Sequence, residues 1–196
     1  MKRVSNAKQR LMEAVLELSW SGSYGSTTID RICEKAGVKK GSFYYFFASK
    51  AELTVAALDA HWQAKRRELD SIFSPTVSPL KRLHEFWHCA CRQQAEEKDR
   101  SGRTLGCFVI SLGAEISTQE DGVRQKVEEI LDDVQKYLES AIRDAHAAGL
   151  IPATNPAAKA RMLLACYEGL LTEARIRNNA DVLRQGVTAT EELLRT

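Results

Sequence analysis

Residues 27–53 read Thr27-Thr28-Ile29-Asp30-Arg31-Ile32-Cys33-Glu34-Lys35-Ala36-Gly37-Val38-Lys39-Lys40-Gly41-Ser42-Phe43-Tyr44-Tyr45-Phe46-Phe47-Ala48-Ser49-Lys50-Ala51-Glu52-Leu53. A threonine oxygen accepts an orphan amide of a helix's first turn, so Thr27 or Thr28 caps a short helix. Its inward face is Ile29, Ile32, Cys33 and Ala36, at helical spacing. Gly37 sits where a helix ends in a left-handed turn. Another short helix then starts at Lys39 or Lys40 and runs through Tyr45, and Ser49 caps a long one over residues 50–72. Two short helices joined by a glycine turn form a helix-turn-helix candidate. Lysines at a helix N-terminus oppose the macrodipole unless an anion is bound there. Facing phosphates, Lys39, Lys40 and the free amides all become useful. Ser42, Tyr44 and Tyr45 add hydroxyls for phosphates or base edges. Gly41 lets a backbone approach closely, and Phe43 and Phe47 anchor the helix to a core.

Outward from this stretch, helical periodicity continues almost everywhere. Ala7, Leu11, Ala14, Val15 and Leu18 predict a first helix over about residues 5–20, broken by Gly22, Ser23 and Gly25. Ser74 to Pro79 is a clear break, after which Leu80, Leu83, Trp87, Ala90 and Cys91 share a helical face. The charged, glycine-bearing stretch Glu96 to Gly106 reads as a loop, and the apolar segment Cys107 to Ile116 as a short helix. Val123, Val127, Ile130, Leu131, Val134, Leu138 and Ile142 form the most regular amphipathic pattern, ended by Gly149 and Pro152. Asn155 and Pro156 open a helix with an apolar run from Met162 to Leu171, and a last helix carries Leu183, Val187, Thr190 and Leu194. The fold class is all-α: a three-helix head joined through the long fourth helix to a helical body, divided into residues 1–50 and 51–196.

Composition narrows the function. The chain has 196 residues, 44% hydrophobic and 28% charged, which suits a folded protein rather than a disordered one. Its net charge is +2, but residues 1–50 carry nine Lys/Arg and four acids, a +5 head on a −3 remainder. Such asymmetry suits a polyanion partner for the head. Five cysteines without regular spacing argue against a disulfide framework. No apolar run suits a membrane span or a secretory signal, so a reduced, cytoplasmic protein is expected. There is no nucleophile elbow, phosphate-binding glycine loop or dinucleotide fingerprint, so an enzyme is not expected. No cofactor is expected either.

The threonine pair, the Ala36-Gly37 turn, the Gly41-Ser42-Phe43-Tyr44-Tyr45 segment and the Ser49-Lys50 cap together resemble the DNA-binding head of TetR/AcrR-family repressors. The resemblance covers about the first 55 residues. It implies that Thr28 contacts phosphate, that Lys39, Lys40, Ser42, Tyr44 and Tyr45 lie on the DNA-facing helix, and that Lys50 clamps the DNA backbone. Lys39 stands where a small polar residue is common, and Phe46 where a more polar aromatic is frequent. The resemblance also implies a homodimeric regulator of a near-palindromic, double-stranded operator, most often a repressor, whose body binds a small-molecule inducer. An activator of the same family, and a helical adaptor without DNA binding, are the competing readings.

For the body, small residues such as Ala165, Gly169 and Gly186 let helices approach closely. Ala165, Leu170, Leu171, Leu183, Val187 and Leu194 are the dimer candidates, forming a four-helix interface across a two-fold. Aromatics Trp62, Phe86, Trp87, Phe108, Tyr137 and Tyr167 are candidates for a pocket wall, plain core being the commoner fate of such residues. The segment Gly106-Cys107-Phe108-Val109-Ile110-Ser111-Leu112-Gly113-Ala114-Glu115 resembles a branch of the family that includes electrophile and oxidant sensors. A helix N-terminus stabilises a thiolate, which would make Cys107 reactive, with Arg103 or Arg175 as the basic partner. The competing reading is a small residue in a structural turn. Glu115 has two readings, a structural cap or a contact to a cationic ligand. His84, His88 and Cys91 share a helix face at metal-ligand spacing, but no metal site is expected from one helix that also carries Trp87 there.

Overall fold

The computed structural model describes residues 2–152 and 155–195, and no strand occurs among them. The helices are α1 (Lys2–Ser21), α2 (Ile29–Ala36), α3 (Lys40–Phe46), α4 (Lys50–Ile72), α5 (Pro79–Ser101), α6 (Phe108–Ile116), α7 (Asp121–Ala147), α8 (Pro156–Arg177) and α9 (Gln185–Arg195), with a 3₁₀ turn at Ala180–Arg184 before α9. The chain forms two compact units. One comprises residues 1–64 and 108–130, the other residues 65–107 and 131–196, so α4 and α7 each contribute to both.

In the first unit, α2 is built as its sequence dictates. Thr28 is extended at φ −90° and its side chain accepts from Arg31 N–H, while Gly37 ends the helix in the left-handed region at φ 59°. Leu11, Ala14, Val15, Ile32, Cys33, Ala36, Phe43, Phe47, Leu53 and Ala57 form one buried cluster that holds α1 to α4 together. The same unit takes in α6 and the start of α7. Gly113 of α6 lies so close to Val127 that a Cβ would stand 2.9 Å from its Cγ1, and Lys126 donates to Asp59 of α4 at 2.9 Å.

The second unit packs α5, α8, α9 and the C-terminal part of α7. Trp87 is fully buried, and its indole N–H donates to Thr190 Oγ1 at 2.8 Å. Gly186 is required there, because a Cβ would come within 2.2 Å of the Trp87 ring. Arg82, 4% exposed, uses all three guanidinium nitrogens: it donates to Asp144 at 2.5 Å, to Val77 O at 2.7 Å and to Pro75 O at 3.1 Å.

Two sequence expectations change. The loop expected from Glu96 is helix as far as Ser101, since charged side chains do not break helices. Arg100 pairs with Glu97 at 2.6 Å, and the helix stops at Gly102, where φ reaches 74°. The single last helix expected through Leu183 and Leu194 is a 3₁₀ turn followed by α9; Asn179 starts the turn by accepting from Asp181 N–H. Among the described residues no helix is long and apolar enough to cross a membrane.

Candidate nucleic-acid interface and sensing site

The α3 helix buries one face and presents the other. Phe43 and Phe47 are 0% and 3% exposed, whereas Tyr44 and Tyr45 are 54% and 78% exposed. Lys39, Lys40, Gly41 and Ser42 are exposed beside them, as is Thr28 at the start of α2. Six of the seven expected DNA-contacting residues are thus exposed, and those on α3 and its N-cap give that helix a basic, hydroxyl-rich surface. Such a surface supplies donors to phosphate and to base edges at once. Lys40 is already held in place: its ammonium meets Asp30 of α2 at 2.8 Å, and that carboxylate raises its pKa.

Lys50 is the exception. Its ammonium is half-buried, donates to Tyr24 O at 2.8 Å and Thr27 O at 2.9 Å, and lies 3.7 Å from the centroid of the Tyr24 ring. Burial lowers its pKa. It clamps the protein's own α1–α2 loop through those two carbonyls.

In the second unit, the segment carrying Cys107 is fastened residue by residue. Gln94 of α5 is buried and grips Gly106 twice, accepting its N–H at 2.8 Å and donating to its C=O at 3.0 Å. Gly106 has φ 67°, and a Cβ there would stand 2.9 Å from the Leu171 carbonyl oxygen, so only glycine fits. Arg175 donates to Leu105 O at 3.0 Å. Asn178, itself left-handed at φ 49°, accepts Thr104 N–H at 2.7 Å. Cys107 is thus presented, half-buried, at the threshold of α6 by a rigid bracket. Of its two expected basic partners, Arg175 belongs to this bracket, and Arg103 is exposed.

Tyr167 packs on Phe86 and Trp87, with ring centroids 4.4 and 5.3 Å away. Burial raises the pKa of its hydroxyl well above the ordinary value, and the nearby Cys107, Cys89, Glu68 and Cys91 raise it further. Cys107 and Tyr167 therefore belong to one locality. Trp87, expected as a pocket wall, is core there, with its N–H satisfied by Thr190. A polar cluster that sequence reasoning missed adjoins it. Glu68 accepts from the Cys89 thiol at 2.9 Å, from Lys65 at 2.8 Å and from Gln93 at 2.9 Å. Burial and Glu68 push Cys89 up to about 11. The only signal in the sequence was Lys65 and Glu68 at i, i+3 on α4, with Cys89 and Gln93 at i, i+4 on α5.

The remaining sensing candidates do not join this group. Trp62 and Phe108 are core residues of the first unit, at 5% and 4% exposure. Glu115 also belongs to that unit, and its carboxylate accepts from the backbone amides of Tyr24 and Gly25. Tyr137 contacts Asp70 and lines a shallow cleft of about 340 Å³ with Arg66, Phe73, Asp133, Lys136 and Ser140. His84 faces Glu191 at 3.5 Å, His88 is exposed, and no metal-binding group of three or more His, Cys, Asp or Glu occurs among the described residues.

Of the dimer candidates, Leu171, Leu183 and Leu194 are 2%, 0% and 4% exposed, buried inside their own protomer. Leu170 and Val187 are half-buried. Ala165 lies on an outward stripe of α8, Met162-Ala165-Gly169-Thr172-Ile176, whose ends are 54% and 79% exposed. Spacings of three and four keep it on one helix face.

Comparison with known proteins agrees with this geometry. Residues 11–57 match the bacterial regulatory proteins of the tetR family, and residues 79–190 match the tetracyclin repressor-like C-terminal domain. The chain belongs to the TetR family. It is a TetR-family DNA-binding transcriptional regulator, and the regulators it resembles span its length. The transcriptional regulator AcuR of Cereibacter sphaeroides is 32% identical over 96% of this chain and 89% of its own. A regulatory protein TetR from Rhodobacter sphaeroides superposes with a TM-score of 0.84 at 31% identity, covering 95% of this chain and 98% of that one. E. coli NemR in its reduced form superposes with a TM-score of 0.83 at 22% identity, covering 96% and 97%; that likeness is one of fold. The TetR-family head thus accounts for the surface formed by α2 and α3, and the C-terminal domain for the bracket around Cys107.

Proposed function

We propose that this regulator is a homodimeric, cytoplasmic repressor that binds a near-palindromic operator and is released by a small-molecule inducer, with modification of Cys107 as the releasing event. Residues 1–50 are the DNA-binding head and residues 51–196 the ligand-binding and dimerisation body. Thr28, Lys39, Lys40, Ser42, Tyr44 and Tyr45 supply the DNA contacts.

One observation carries the sensing part. Cys107 is the last residue of the 65–107 stretch, where Gln94 grips the preceding Gly106 by two buried hydrogen bonds, and it immediately precedes α6 in the chain. A thiol adduct changes size and polarity at this position. Such a change alters DNA affinity only if the adduct fits one conformation better than the other. Dimerisation is supported by the outward stripe of α8, where Ala165 and Gly169 allow backbones to approach and Met162 and Ile176 supply apolar area. The name of the E. coli relative NemR, a transcriptional repressor, supports repression as the sign of control.

The test is fluorescence anisotropy on a duplex selected by the protein from a random-sequence library. It is run with reduced protein, after N-ethylmaleimide, and with Cys107→Ser under both conditions. Tight, steeply salt-dependent binding that the electrophile abolishes in wild type but not in the variant is expected. Equal retention by both proteins would remove Cys107 from the mechanism and direct the search to a non-covalent inducer.

A further inference from the structure

The helix that follows Cys107 is fastened to the DNA-reading head at both ends. At its start, Phe108 meets Trp20 of α1 edge-on, with ring centroids 6.4 Å apart. At its far end, the Glu115 carboxylate takes two adjacent backbone donors, Tyr24 N–H at 2.9 Å and Gly25 N–H at 2.8 Å. One carboxylate oxygen serves each amide. A charged acceptor chelating two neighbouring N–H groups fixes both distance and direction.

The loop so gripped is the one that leads into α2. Its peptide group at Tyr24–Gly25 is held from two sides: Glu115 takes the Gly25 N–H, and Lys50 of α4 donates to the Tyr24 C=O at 2.8 Å. The same ammonium reaches Thr27 O at 2.9 Å, and Thr27 Oγ1 donates to Ser23 O at 2.8 Å. Thr28, next in line, caps α2. A shift of α6 therefore reaches the cap of α2 through one carboxylate and four residues of tied loop. The loop also has fastenings independent of α6. Lys50, Thr27 and the contact of Ser26 N–H with Ser23 Oγ at 3.1 Å keep it folded without Glu115. Glu115 and Gly25 are exposed, so loss of the carboxylate returns the Gly25 amide to water, and only the part-buried Tyr24 amide is left to find a new partner.

We propose that Glu115 is a positioning residue for operator recognition: it ties α6 to the α1–α2 loop, so that the place of α6 sets the place of the reading helices. This rests on the regulator reading above and supplies its mechanical link. Glu115 lies in the last turn of α6, a helix of nine residues that Cys107 immediately precedes.

The test compares wild type with Glu115→Gln and Glu115→Ala. Three quantities are read: affinity for the library-selected duplex against a random duplex of equal length, thermal midpoint, and amide exchange by residue. Both variants are expected to keep the midpoint within about 3 °C and random-duplex affinity within about twofold, since no phosphate contact is lost. Affinity for the selected duplex falls about tenfold, and exchange in residues 23–28 accelerates about tenfold while α8 is unchanged. After N-ethylmaleimide, wild type loses the selected duplex, and the variants lose much less of their remaining affinity. Wild-type affinity together with wild-type exchange in residues 23–28 overturns the proposal. So does an equal loss on both duplexes accompanied by a general fall in stability, which marks Glu115 as scaffolding. If wild type selects no duplex, the regulator reading fails, and exchange at Tyr24 and Gly25 still decides the tie. If wild type selects a duplex but ignores the electrophile, only the sensing reading fails, and the unmodified affinities decide.

Discussion

Replacing Gln94 by methionine removes the bracket around Gly106 at almost constant volume. Two buried backbone groups then lose their partner: the Gly106 N–H, now 2.8 Å from Oε1, and the Gly106 C=O, now 3.0 Å from Nε2. Leaving a buried donor or acceptor unsatisfied costs about 1–3 kcal/mol each. Gly106 is itself buried, and its φ of 67° lets no other residue relieve the geometry. Gln94→Met is therefore expected to destabilise by about 3 kcal/mol, the middle of that range being reduced by partial relaxation. For a chain of this length that lowers the thermal midpoint by about 6–12 °C. Urea denaturation at matched protein concentration reads the loss, because dimerisation would make the midpoint concentration-dependent. The rate of Cys107 alkylation, followed by peptide mass spectrometry, should rise as the bracket loosens. A loss below about 0.5 kcal/mol with an unchanged alkylation rate would refute the view that Gln94 holds Cys107 in place.

Further expectations concern the three other surfaces. Ile176→Asp on the outward stripe of α8 should shift sedimentation from dimer to monomer while changing the protomer's own core little, because Ile176 is 79% exposed; a dimer that persists at wild-type strength excludes that face. Lys39→Ala should lower the slope of log affinity against log salt by about one, with similar losses on all duplexes; an unchanged slope removes Lys39 from the phosphate contacts. The Cys89 thiol, pushed to about 11 by burial and Glu68, stays protonated at pH 8, with a thiolate fraction on the order of 0.1%. Iodoacetamide at that pH should leave Cys89 unmodified, and its reactivity should grow only as pH approaches 11; rapid labelling at pH 8 contradicts the buried pair.

The head was legible because its signals are local. Thr28, Gly37, Phe43 and Phe47 each declare a cap, a turn or a core position within a few residues of their neighbours, and helix periodicity does the rest. The exposed side of α3 followed from the same arithmetic. What stayed hidden depended on partners far along the chain. Lys50 reads in the sequence as a phosphate ligand, and the acceptors that the fold gives it, Tyr24 O and Thr27 O, lie more than twenty residues away in the chain. Leu171, Leu183 and Leu194 are as apolar as any interface residue, and only burial against their own protomer distinguishes them from Met162 and Ile176. The charge density of Glu96 to Ser101 imitates a loop signal, although Glu97 and Arg100 pair across a helical turn. Gln94 gave no signal at all: a single amide in a charged helix says nothing until Gly106 is folded against it.

The interleaving of the two compact units limits how the protein can be recombined. A graft of residues 1–57 onto a foreign sensor carries every residue of the head's buried cluster and should fold and bind DNA. It leaves behind Phe108 and Glu115, which reach the head from beyond the next helix in the chain. Such a chimaera inherits a reader without its steering rod, and its DNA binding should be deaf to whatever the new body detects. A transplant meant to respond has to bring the tract from Phe108 to Ile130 with it, spliced at three places in the chain rather than one.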